Sequence, residues 1–148
     1  MILNYQEGDL LKLPRTYYLA HCISADFALG AGIAKQINDV FQMRFKLNNR
    51  FGNVPERYRV GKTYLVDNVF NLVTKEKYWH KPTYRSLKCG LYKMKDIIVE
   101  KNISRLAMPR IGCGLDKLCW DNVADIIKEV FGNTDIEITV YSLQKRSE

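Results

Sequence analysis

Pro109-Arg110-Ile111-Gly112-Cys113-Gly114-Leu115-Asp116 follows directly on the apolar stretch Arg105–Met108 and leads into the helical stripe Val123, Ile126, Ile127 and Val130. A short strand, a glycine turn and a helix in that order are the repeating step of an α/β domain. The arrangement occurs once more upstream. Ala28-Leu29-Gly30-Ala31-Gly32-Ile33 comes after the strand Tyr17–Cys22 and opens the stripe Ile33, Ile37, Val40 and Phe41. Ligands of α/β sheets bind beyond the carboxyl ends of strands, where both loops fall. Glycine lets backbone N–H groups approach phosphate oxygens, and a helix N-terminus adds partial positive charge, so two such loops would grip a diphosphate from opposite sides. Neither loop is specific alone. Lys35 occupies the third glycine position of a dinucleotide fingerprint, and the chain has no P-loop pattern.

The rest of the chain continues the alternation. Met1–Tyr5 reads as a strand, and Phe45–Phe51 as a short helix ending at Gly52 in the left-handed conformation. Thr63–Val66 and Val69–Thr74 form a hairpin around Asp67-Asn68, residues that tolerate positive φ. Pro82 is placed in the first turn of a long helix whose inner face carries Tyr84, Leu87, Leu91, Met94 and Ile98. Ile136, Ile138 and Val140 alternate with polar neighbours, as in a strand with one buried face. The expectation is a mixed sheet with helices on both sides.

A length of 148 residues predicts one domain, here taken as 1–148, and a hydrophobic share of 47% removes the case for disorder. The net charge of +7 favours anionic partners, yet lysine and arginine are spread along the whole chain and form no arm or tail. Cys22, Cys89, Cys113 and Cys119 include no CxxC pair, and His21 and His80 are too few for a metal cluster, so no metal is expected. His21, at the end of an apolar strand, reads as a hydrogen-bonded structural histidine. Met1–Lys12 carries Glu7 and Asp9 and no long apolar run, which argues against a signal peptide, and no stretch has the length of a membrane span. The protein is expected to be soluble, cytoplasmic and, for want of an oligomer signal, monomeric.

Six segments taken together resemble macrodomains: Gly8-Asp9-Leu10, His21-Cys22-Ile23-Ser24, Gly30-Ala31-Gly32-Ile33-Ala34, Leu72-Val73-Thr74-Lys75, His80-Lys81-Pro82-Thr83-Tyr84 and the run from Pro109 to Asp116. More narrowly they are similar to the terminal ADP-ribose protein glycohydrolase branch, in order from about Leu3 to Leu143. The resemblance implies a three-layer α/β/α sandwich, ADP-ribose as ligand and no cofactor. It implies that Asp9, with the Leu10 backbone, accepts from the adenine amino group, and that Leu143 packs on the adenine. Ser24 and the loop Gly30, Ala31, Gly32 and Ile33 would line the ribose and diphosphate. Arg110, Ile111, Gly112, Cys113, Gly114 and Leu115 would form the opposite wall. Lys75 would attack the anomeric carbon of the distal ribose and form a covalent lysyl–ADP-ribose intermediate, with Asp116 as acid/base for its breakdown.

Each of these residues has a plainer reading. Asp9 is a turn or cap residue, Leu143 an end-of-strand apolar residue, Lys75 a solvated lysine, and Asp116 an N-cap for the following helix. An attacking amine must be neutral, and Lys77, His80 and Lys81 are expected to supply a cationic surrounding. The implied substrate is an ADP-ribosylated protein bearing a glutamate or aspartate ester, with ADP-ribosylated nucleic acid second. DNA-directed macrodomains that act as antitoxins resemble the chain less. A non-catalytic ADP-ribose reader would need the glycine loops and Asp9 but not Lys75 with Asp116. A basic nucleic-acid-binding module sharing only the fold is the alternative from another class.

Overall fold

The computed structural model describes residues 1–143; positions 144–148, over which the single-domain expectation also extends, lie outside the described residues. Six strands form one sheet: β1 (Ile2–Glu7), β2 (Tyr18–Ser24), β3 (Thr63–Val66), β4 (Val69–Lys75), β5 (Arg105–Met108) and β6 (Glu137–Ser142). Their spatial order is β1-β6-β5-β2-β4-β3. Every neighbouring pair is parallel except β3 and β4, which make an antiparallel hairpin that turns at Asp67 with φ 54°. The expected mixed sheet is therefore present.

The central strands are buried on both faces, and their alternation feeds two cores. Leu19 and Ile23 of β2 and Val69 and Val73 of β4 face one side, against α1 (Gly32–Phe41) and α2 (Met43–Phe51). There they meet Ile37, Phe41, Met43 and Leu47. Ala20, Phe70 and Leu72 face the other side, against α3 (Tyr84–Lys101) and α4 (Trp120–Phe131). Leu87, Leu91, Met94, Ile98, Val123, Ile127 and Val130 complete that core. Burying a side chain of this size contributes roughly 1.5–3 kcal/mol, so helix periodicity and strand alternation specify the same three layers. The expected three-layer α/β/α sandwich follows.

Three local expectations need correction. Gly52 has φ −62° and is right-handed; the left-handed residue is Gln42, which separates α1 from α2. Glycine is required at 52 because a Cβ there would collide with the Asn48 carbonyl oxygen. Pro82 stands before α3, not in its first turn. The helix is opened by a capping box in which Ser86 N–H donates to Thr83 Oγ1 at 3.0 Å and Thr83 N–H donates to Ser86 Oγ at 3.2 Å. Val40 lies on the solvent side of α1, while Ile37 and Phe41 carry its buried stripe.

Candidate active site

Because β2, β4, β5 and β6 run parallel, their carboxyl ends open on one edge of the sheet. Along that edge lies a cleft of about 890 Å³. Ser24, Gly30, Ala31, Gly32, Ile33, Lys75 and the whole run Arg110–Asp116 line it, with Tyr141 and Ser142. Three expected residues do not. Asp9 accepts from Leu11 N–H at 3.0 Å through Oδ1 and so caps a short 3-10 turn. Leu10 is buried in the core, and Leu143 is 71% exposed. All three nevertheless neighbour the Tyr141–Ser142 end of the cleft in sequence or space, since Gly8 N–H donates to the Ser142 carbonyl at 2.9 Å.

Both glycine loops carry a glycine at positive φ, but its surroundings differ. Gly32, at φ 58°, begins α1, and a Cβ on it would stand 3.7 Å from Leu115 Cδ1 of the second loop. The rims of the loops thus meet there. Gly112, at φ 74°, passes so close to Leu118 that a Cβ would lie 2.9 Å from Leu118 Cδ1. Leu118 N–H closes this turn by donating to the Gly112 carbonyl at 2.7 Å. The N-cap of α1 is Ala31, which has no side-chain acceptor for the N–H groups of the first turn. Such groups suit an anion.

Lys75 and Asp116 come together in the same cleft. Lys75 Nζ donates to Asp116 Oδ1 at 2.6 Å, and the two side chains are only 14% and 16% exposed. The capping role does not hold for Asp116, because Cys119 is the N-cap of α4. The expected cationic surrounding of Lys75 is also corrected. Its charged partner is a carboxylate, Lys77 is turned to Glu56, and Lys81 donates to the Leu115 carbonyl at 3.2 Å. His80 accepts from Lys77 N–H at 3.3 Å.

Other nucleophiles in the cleft are disfavoured. Burial pushes the Cys22 thiol up to about 12, and the Asp116 charge adds to the effect. Burial likewise raises Cys113, to about 11, helped by Cys119. Neither thiol is a thiolate at neutral pH. His21 is fully buried; its Nε2 donates to Asn71 Oδ1 at 2.6 Å, and burial lowers it to about 4. It is the structural histidine that its strand position suggested. Among the described residues no group of three or more His, Cys, Asp and Glu side chains is placed to hold a metal ion, and no helix is long and apolar enough to cross a membrane.

Sequence reasoning missed several residues around the site. Asp26 Oδ1 accepts from Ser24 Oγ at 2.5 Å and from Ala28 N–H at 3.1 Å, while Oδ2 accepts from Tyr78 N–H at 3.0 Å. Burial alone would raise this carboxyl, but these hydrogen bonds and the Lys77 charge outweigh it and hold Asp26 below the usual carboxylate range. Arg59, almost fully buried, donates to the carbonyls of Ala25, Val54 and Gly52 and stands 4.2 Å over the Phe27 ring. Tyr78 and Trp79 line the cleft as an exposed edge-to-face pair with ring centroids 5.0 Å apart. An Asp two residues past a strand end is a local signal for Asp26, because Asx side chains bond backbone N–H groups in turns. Arg59 carried no local signal.

No family model matches the chain. It is 43% identical over 144 residues to ADP-ribose glycohydrolase OARD1 of Homo sapiens, covering 95% of this chain and 91% of the human protein. It is 27% identical over 150 residues to the DNA ADP-ribosyl glycohydrolase of Mycobacterium tuberculosis, covering 95% of this chain and 42% of that protein. Among solved structures, the macrodomain of Mycobacterium tuberculosis DarG matches with a TM-score of 0.79 at 26% identity, over 97% of this chain and 99% of that one. The chain belongs to the macrodomain family. Within it the sequence similarity is to the OARD1 glycohydrolases, in agreement with the motif resemblance.

Proposed function

We propose that the protein binds ADP-ribose in this cleft and hydrolyses it from modified macromolecules, with Lys75 as nucleophile and Asp116 as acid/base. The observation that carries this reading is the 2.6 Å contact between Lys75 Nζ and Asp116 Oδ1 on the cleft wall between two glycine loops. A reader of ADP-ribose has no use for a paired amine and carboxylate there. The 43% identity to a protein named as an ADP-ribose glycohydrolase supports the same activity.

The diphosphate lies between the start of α1, at Gly30–Ile33, and the Arg110–Leu115 wall. Adenine is assigned to the Tyr141–Ser142 end, within reach of Asp9, Leu10 and Leu143. This places the distal ribose at Lys75. The Lys75 ammonium passes a proton to Asp116, to which it is already hydrogen-bonded. The free amine attacks the anomeric carbon; the C–N bond forms as the C–O bond to the aglycone breaks, and its electron pair departs with the leaving group. Water then adds to the same carbon as the C–N bond breaks: the amine leaves neutral, Asp116 returns its proton to Lys75 to restore the ammonium, and the proton shed by the water passes to solvent.

A carboxylate leaves an anomeric carbon without protonation, whereas a nucleobase or a serine oxygen depends more on an acid. For that reason ester-linked glutamate and aspartate of proteins are the preferred substrates, and ADP-ribosylated nucleic acid is secondary. Calorimetry with ADP-ribose, followed by time courses on a glutamate-modified protein and an ADP-ribosylated oligonucleotide at low and moderate salt, tests both levels. Binding without release would leave only a reader. Faster, salt-resistant release from the oligonucleotide would overturn the choice of aglycone, because engagement through several phosphates weakens steeply with salt.

A further inference from the structure

Lys75 is the last residue of β4, and a nucleophile at a strand end is only as well placed as the chain that follows it. Its backbone is held from β2: Ala25 N–H donates to the Lys75 carbonyl at 2.8 Å, and Asp26 N–H to the Glu76 carbonyl at 3.1 Å. The β2–β4 register shifts at this point, between Ile23 and Ser24. Beyond Glu76 the chain leaves the sheet. There the Asp26 carboxylate takes over, with Oδ2 on Tyr78 N–H and Oδ1 on Ala28 N–H and Ser24 Oγ. One side chain thereby joins the strand end that bears Lys75 to the segment that leads into the first glycine loop. Behind it, Arg59 Nη1 donates to the Ala25 carbonyl at 2.6 Å and blocks retreat of the junction.

We propose that Asp26 is a positioning residue for this reaction, a role that rests on the functional reading above. It fixes Lys75 relative to the loop that holds the diphosphate, so that nucleophile and substrate are located by one rigid junction. It also sets the polarity of Ser24. An ionised carboxylate only accepts, so the Ser24 hydroxyl spends its proton on Asp26 and presents lone pairs to the cleft. Ser24 therefore accepts from a ribose hydroxyl and does not donate to one. Small errors in near-attack geometry lower the chemical step far more than they lower binding.

The test uses the full chain with Asp26→Ala and Asp26→Asn, the latter keeping one acceptor oxygen. Free ADP-ribose exposes an aldehyde on ring opening. The Lys75 amine can condense with it, losing water, and cyanoborohydride reduces the imine to a stable secondary amine that intact mass detects. At saturating ADP-ribose, Asp26→Ala should trap and turn over at least about tenfold more slowly, with ADP-ribose affinity changed less than about threefold and Asp26→Asn in between. A merely structural role would lower affinity and rate together, or melting temperature alone. Unchanged trapping in either folded variant, or rate and affinity lost in proportion, would overturn the proposal. A wild-type chain that binds ADP-ribose yet neither traps nor releases it would instead remove the functional reading, and the role of Asp26 with it.

Discussion

Lys75 Nζ and Asp116 Oδ1 are separated by 41 residues of sequence and by 2.6 Å in space. The strand β4 delivers one and the loop after β5 the other, so two parallel neighbours of β2 converge on a single ion pair.

On the proposed mechanism, Lys75→Ala removes the nucleophile. Release of ADP-ribose should fall by more than about a thousandfold. ADP-ribose affinity should stay within about tenfold, or 1.4 kcal/mol, because a nucleophile acts mainly on the chemical step. Calorimetry and turnover on one preparation decide the matter. Near-normal turnover would exclude the lysine mechanism.

Asp116→Ala takes away the partner of the Lys75 ammonium and, on the proposed mechanism, the group that returns its proton. Attack can still proceed through amines that deprotonate to solvent, but resolution stalls. A lysyl adduct should accumulate in intact-mass spectra while steady-state turnover drops by about a hundredfold or more. Lost activity without any adduct would confine Asp116 to the step before attack.

Gly32→Glu should abolish ADP-ribose binding in a folded protein. The substitution forces a side chain at φ 58° and places a carboxylate at the start of α1, beside Leu115. Gly32→Ala separates the two effects, since backbone strain alone costs on the order of 1–2 kcal/mol. Equal affinities for wild type and the Glu variant would make this loop purely structural.

His21 supplies a pH signature of stability. Its folded-state value is lowered to about 4, against an ordinary 6.5. Below 6.5 the unfolded chain therefore binds a proton that the folded chain refuses. The His21 contribution is intact above pH 6.5 and is lost as pH falls toward 4, by about 3 kcal/mol over the window. Urea midpoints at pH 7.5, 5.5 and 4.5 should decline accordingly, and His21→Gln should flatten the decline. A wild-type curve level across that range would contradict the burial argument.

The layers were legible because strand alternation and helix spacing are local: β3, β5 and α4 fall where their patterns put them, and α3 buries Leu87, Leu91, Met94 and Ile98 as expected, although Pro82 precedes it and Tyr84 is exposed. The glycine loops were legible from their place between strand and helix, whereas Lys75 and Asp116 were legible only through motif resemblance. A lysine at a strand end is in itself ordinary, and only the fold shows that its partner is an acid and not a set of cations. Arg59 stayed hidden because its hydrogen-bond partners are distant backbone carbonyls, which leave no residue-type signature, whereas Asp26 offered only the ordinary turn signal of an Asp after a strand. Gly52 misled for a related reason. Its sequence context records that a Cβ is forbidden but not whether φ or a neighbouring carbonyl forbids it.

The sheet order carries a consequence for how the protein is made. β1 pairs with β6, Ile2 beside Glu137, so β1 waits for a strand synthesised long after it. The hairpin β3–β4, its parallel neighbour β2 and β5 beyond it can assemble before β6 leaves the ribosome, whereas β1 cannot dock. During that interval the β5 edge, with Leu106 and Met108, has no neighbour on the β6 side. Pairing over such a separation is slow, and an open apolar edge is where nascent chains stick to one another. Translation that pauses or stops shortly before Glu137 would leave the glycine loops complete and the molecule prone to aggregate.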